Sequence, residues 1–161
     1  MYAGATSARA QALLSGAVDA AILLPPFNFQ VVNAGFVELG RTVDFAPELP
    51  FSGTVVNVAW AKANTPILQR LIAAHSKSVA WFEDDANRAG AVAMLVEASK
   101  LKPDEVEKSY DFFRKGHYFE PTGKISRKKM NALIDALVGL GDIGKIDVEK
   151  LVLPGVTQLV D

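Results

Sequence analysis

The residues whose types could do chemistry are few. They are two histidines, His75 and His117, an acidic run Glu83-Asp84-Asp85, and a glycine-rich stretch that ends in a lysine. A zinc site needs three or four ligands, and neither a His-x-x-x-His pair nor a cysteine is present to complete one. His75 falls on an apolar helical stripe and reads as a packed residue; His117 follows Gly116 and reads as a solvated loop residue. The three carboxylates are able in principle to share general acid and base work. Their place between two helical patterns fits capping and solvation better. Gly139-Leu140-Gly141-Asp142-Ile143-Gly144-Lys145 matches both GxxxxGK and GxGxxG. Ile146 stands where a phosphate loop needs a hydroxyl. A helix precedes the glycines where a strand should, and only a short tail follows. The stretch therefore reads as a helix stop. Arg127-Lys128-Lys129 opens a helix, the end at which the dipole disfavours cations, and reads as a solvated face. There is no Gly-x-Ser-x-Gly nucleophile elbow.

With no catalytic constellation, binding by backbone groups and small polar side chains becomes the chemistry to look for, and the elements that would position it come next. Thr6 to Leu14 reads as a helix capped by Thr6 or Ser7 and ended at Gly16. Val18 to Leu24 is an apolar run that predicts a buried strand. Pro25-Pro26 stops it, and Pro26 opens a second helix through Gln30 to Ala34. Phe36 to Leu39 and Thr54 to Ala61 read as further strands. This alternation predicts an α/β fold with a parallel sheet. From Asn64 the pattern is helical: Thr65-Pro66 starts a long helix, Asp85 caps the next, Pro103 opens a third, and Ser126 caps a fourth with Met130, Leu133, Ile134 and Leu137 on one face.

The bulk numbers agree with a packed domain. The chain has 161 residues, of which 50% are hydrophobic and 22% charged, a globular profile. The net charge of −1 gives no electrostatic drive toward nucleic acid. The lack of cysteine rules out disulfides and thiolate chemistry. No apolar run is long enough for a membrane span, and no basic start followed by an apolar core marks a signal peptide.

Arg9 to Pro26 reads Arg-Ala-Gln-Ala-Leu-Leu-Ser-Gly-Ala-Val-Asp-Ala-Ala-Ile-Leu-Leu-Pro-Pro. This resembles the helix-to-strand turn, followed by a proline at the cleft edge, of nitrate/sulfonate/taurine-type solute-binding proteins of ABC importers, a family that includes thiamine-precursor relatives. Asn57-Val58-Ala59-Trp60-Ala61 resembles that family's returning strand. Asn64 to Phe82 resembles its long helix, Asp85-Ala86-Asn87-Arg88 the start of the next, and Gly141-Asp142-Ile143 through Asp147-Leu151 its C-terminus. The resemblance implies a periplasmic-binding-protein type II-like α/β fold of which this chain is the C-terminal part. Residues 1–53 would then belong to the second lobe. Residues 54–161 would hold the returning strand and the helical part of the first.

The function so implied is capture of a small anionic solute in an interlobe cleft, without catalysis or cofactor, for delivery to a membrane permease. The implied location is periplasmic or extracellular and membrane-associated. Ligands of open α/β sheets sit beyond strand ends and near helix N-termini. The expected contacts are therefore Thr6 and Ser7 at the first helix and Pro25, Phe27 and Asn28 after the first strand. Unpaired sheet edges predict a homodimer or a strand-exchanged assembly. A pyrimidine-precursor synthase-like enzyme and the effector-binding domain of a LysR-type regulator are alternatives of similar architecture. The first would need catalytic residues that are not evident, and the second an upstream helix-turn-helix.

Overall fold

A computed structural model describes residues 4–161. Helix accounts for 57% of the chain, so helix dominates, and the β structure among the described residues is one two-stranded parallel sheet. The helices are α1 (Thr6–Leu14), α2 (Phe27–Asn33), α3 (Thr42–Phe45), α4 (Val58–Ala63), α5 (Thr65–Glu83), α6 (Arg88–Ser99), α7 (Pro103–Lys115) and α8 (Arg127–Gly139). The strands are β1 (Ile125–Ser126) and β2 (Leu159–Val160), with Ile125 opposite Leu159 and Ser126 opposite Val160.

The chain forms two compact units, each built from two separate segments. The first takes the residues up to Gly40 together with Phe82–Phe119; the second takes Arg41–Trp81 and Glu120–Asp161. The boundary expected between residues 53 and 54 falls inside the second unit.

In the first unit, α1 packs on α2 through Ala10, Leu13 and Val31, with Val18, Ala21, Leu23 and Phe27 against them. A second cluster joins α6 to α7 through Ala91, Val92, Val106 and Tyr110. Pro103 stands at the first turn of α7, with Asp104 and Glu105 beside it and Arg114 and Lys115 in the last turn, so the charges complement the helix dipole at both ends. Tyr110 is 1% exposed, and its hydroxyl donates to the Phe82 carbonyl at 2.8 Å, so the one buried polar atom of this large side chain is satisfied. Two contacts tie α2 to α7. Gln30 Nε2 donates to Glu105 Oε1 at 2.7 Å, and the Phe29 and Phe112 rings meet edge to face.

In the second unit, α8 is capped by the Ser126 hydroxyl, which accepts from the Lys129 N–H at 3.2 Å. The helix packs against β1 and against the Val148–Leu151 turn. Ala61, Leu68, Val79, Ile134 and Val148 are the buried apolar residues of this unit.

Three expected strands do not form among the described residues. Val18–Leu24 and Phe36–Leu39 run without regular structure. Thr54–Ala61 is divided: residues up to Val56 are irregular, and Asn57 accepts the Trp60 N–H at 3.1 Å to cap α4. A cap satisfies a helix locally, whereas a strand needs a neighbour to supply its hydrogen bonds. Caps also shift by a residue or so. Asp84, not Asp85, accepts the Ala86 N–H, and Thr65 is the first residue of α5, with its hydroxyl donating back to the Ala61 carbonyl.

Candidate ligand site in the first unit

The five expected ligand residues all lie in the first unit, on α1 and on the segment that leads into α2. At α1 the N-cap position is Ala5, and no side chain caps the helix. The expected cap at Thr6 or Ser7 is therefore corrected. Thr6 Oγ1 instead accepts from Arg9 Nη2 at 3.0 Å, and Ser7 is exposed. Among the described residues no side-chain cap meets the first-turn N–H groups of α1, and they carry the positive end of the helix dipole.

The Pro25–Pro26 bond is cis. Pro25 is half-buried and Pro26 buried. Pro26 is the N-cap residue of α2, and the Gln30 N–H donates to its carbonyl at 3.1 Å. Phe27 packs against the Ala10, Leu13 and Val31 cluster, so its ring serves the α1–α2 contact. Asn28 is half-buried, and its Oδ1 is fully shielded from solvent without a hydrogen-bond donor. An acceptor in that state costs about 1–3 kcal/mol. Arg9 Nε is buried without an acceptor in the same unit. Sequence reasoning missed Arg9. Its signal was a cation one helical turn after the small-residue start Gly4-Ala5-Thr6-Ser7.

The residues first weighed for catalysis have other partners. Arg114 Nε lies 3.4 Å from Glu83 Oε2, and its Nη1 lies 2.5 Å from Asp85 Oδ1. The hydrogen bond to Asp85 raises the Arg114 pKa, so this cation stays charged. His117 sits in the left-handed region at φ 44° just after α7, with Nδ1 3.9 Å from Glu83 Oε2. His75 is exposed, not packed as its apolar neighbours suggested, and its Nε2 lies 3.0 Å from the Glu120 carbonyl. Gly139 ends α8, and Gly141 follows with φ 77°, the conformation of a helix stop. Arg127, in the basic cluster, pairs with Glu149.

An open groove in the second unit is lined by Arg127, Asn131, Lys145, Asp147, Glu149 and Lys150. Its three cations, Arg127, Lys145 and Lys150, stand with two carboxylates, Asp147 and Glu149, and none of the five expected ligand residues lines it. Among the described residues, no cluster of three or more metal-ligating side chains occurs, and no helix is long and apolar enough to cross a membrane. In comparisons with protein families, curated proteins and solved structures, no match is found.

Proposed function

We propose that the chain is the ligand-capturing part of an ABC-importer solute-binding protein, with a type II periplasmic-binding-protein architecture, and that it acts by binding without catalysis. Its solute is a small anion, held for delivery to a membrane permease. The family part of this reading rests on the ordered resemblance from Arg9 to Leu151.

The observation that carries the binding part is the unpartnered Asn28 Oδ1 in the same unit as the uncapped start of α1. An N–H or O–H of the solute donating to Asn28 recovers the cost of the buried acceptor. The free N–H groups of α1 suit an acidic oxygen, and Arg9 beside Thr6 adds a full positive charge. Pro25 and Phe27 shape the site, since the Phe27 ring already packs between the two helices.

Thermal unfolding against sulfonates, nitrate, aromatic carboxylates and pyrimidines tests this reading. A solute present at 100 times its Kd adds about 2.7 kcal/mol of stability. Asn28→Leu sharpens the test. It removes the unpartnered oxygen, so the free protein gains about 1 kcal/mol, while affinity for the solute falls about tenfold or more. A variant that binds as tightly as the parent chain would rule out Asn28 as a contact, and no shift with any solute would sink the capture reading.

A further inference from the structure

The glycine-rich stretch after α8 stops that helix and also returns the chain along it. Gly141, at φ 77°, makes the turn. Val148, 3% exposed, anchors the returning segment. The Val148–Leu151 turn lies against α8, and Glu149 pairs with Arg127 at the helix start. Residues 145–150 therefore lie across a groove of about 580 Å³ from Arg127 and Asn131, which stand one helical turn apart on the same face of α8.

Both carboxylates of this groove are engaged, and two of its cations are not. Glu149 holds Arg127, which also lies 3.7 Å from Asp161. Asp147 Oδ1 accepts the Glu149 N–H at 3.2 Å and so caps the turn. Among the described residues, the Lys145 and Lys150 ammonium groups and the Asn131 amide have no hydrogen-bond or ion-pair partner. A second groove of about 360 Å³ adjoins the first, because Arg127 and Glu149 line both. Val152, Pro154 and Leu159 give it an apolar wall. Both volumes fall in the range of small-molecule sites, in which apolar walls supply contact and a few polar groups fix orientation.

We propose that the two grooves form one binding site for a small amphipathic anion, a carboxylate or phosphate ester with a short alkyl tail. The acidic group lies between Lys145, Lys150 and Asn131. The tail runs past the Arg127–Glu149 pair onto Val152, Pro154 and Leu159. All of these residues belong to the second unit, so the site does not depend on Asn28 or Arg9. Charge alone gives little here, because an exposed ion pair changes affinity only a few-fold. The tail supplies the larger part: each methylene it buries fully improves Kd about fourfold.

Amide NMR titration of the whole chain with octanoate, octyl phosphate, octanol and inorganic phosphate, below micelle-forming concentrations, tests the site. Octanoate and octyl phosphate are expected to shift the amides of Asn131, Lys145, Lys150 and Leu159, and the tighter of the two names the acidic group. Octanol and inorganic phosphate are each expected to bind at least about tenfold more weakly. The double variant Lys145→Gln with Lys150→Gln should weaken octanoate about fivefold to tenfold, with circular dichroism unchanged because both side chains are exposed. Asn28→Leu should leave octanoate binding as it is, so failure here and failure of the first-unit site are told apart. Octanol binding as well as octanoate would overturn the role of the lysines, as would an unchanged Kd in the double variant. Inorganic phosphate matching octyl phosphate would overturn the apolar half. Shifts absent from these amides, or lost in Asn28→Leu, would overturn the site itself.

Discussion

At Glu120 a single carboxylate organises a turn. Burial disfavours its charge. Against that, the Thr122 hydroxyl and the N–H groups of Thr122, Gly123 and Lys124 all donate to it, and together they hold its pKa below the ordinary value of 4.5. A carboxyl whose folded pKa is depressed stabilises the fold above its unfolded pKa, and loses that contribution as pH falls through the folded value. Urea titrations of the parent chain and Glu120→Gln should therefore differ near pH 7 and converge as the pH drops below the usual glutamate range. A gap that persists unchanged in acid would assign the effect to shape and not to charge. Little of this was legible beforehand. The hydrogen bonds of Glu120-Pro121-Thr122-Gly123 depend on backbone geometry, which residue types alone do not fix. Of the site residues, Phe27 was expected as a contact, and its ring packs in the α1–α2 core. Asn28 was named on position alone; that its oxygen lacks a donor is a fact of packing, which sequence does not carry.

Among the elements, the longer helices were readable, whereas the expected strands before residue 62 were not, and α4 falls where a strand was expected. Thr6–Leu14, Pro103–Lys115 and the Ser126-capped α8 follow their sequence signals closely, because a helix completes its hydrogen bonds within its own segment. Val18–Leu24 and Thr54–Val56 have strand-like composition, but a ladder is made with another segment, and composition does not say which. The link between the β1 turn and α5 depends on one glycine. Gly123 has φ +70°, and a Cβ there would lie 2.5 Å from Ile72 Cγ2. Thr157 Oγ1 also donates to its carbonyl. Gly123→Ala should cost about 1–3 kcal/mol through crowding. Adding Ile72→Ala should relieve part of that cost, giving a coupling of about 0.5–3 kcal/mol in a double-mutant cycle. Additive effects would show that backbone conformation alone accounts for the loss.

For the molecule as a whole, small cores and a large exposed apolar surface go together. In the first unit the buried residues form the α1–α2 and α6–α7 clusters, and in the second they are Ala61, Leu68, Val79, Ile134 and Val148, while Val37, Leu39 and Val55 are each more than four-fifths exposed. A homodimer that covers this surface would link stability to association, and the melting temperature would then rise with protein concentration. Calorimetry at about 5 and 100 µM checks this; a midpoint independent of concentration would mean that the single chain carries all of its own stability.

The two units interleave along the chain. The first needs residues as far as Phe119, and the second needs residues as far as Asp161. A ribosome delivering this chain at about 5–20 residues per second cannot release one finished unit before starting the next. When Trp81 emerges, each unit is only half made, and α2 must wait for α7 before Gln30 can reach Glu105. The growing chain thus carries its apolar segments uncovered for several seconds. A nascent-chain chaperone would have its longest opportunity over that interval, and a synonymous codon change that slows translation between Gly40 and Phe82 would lengthen it.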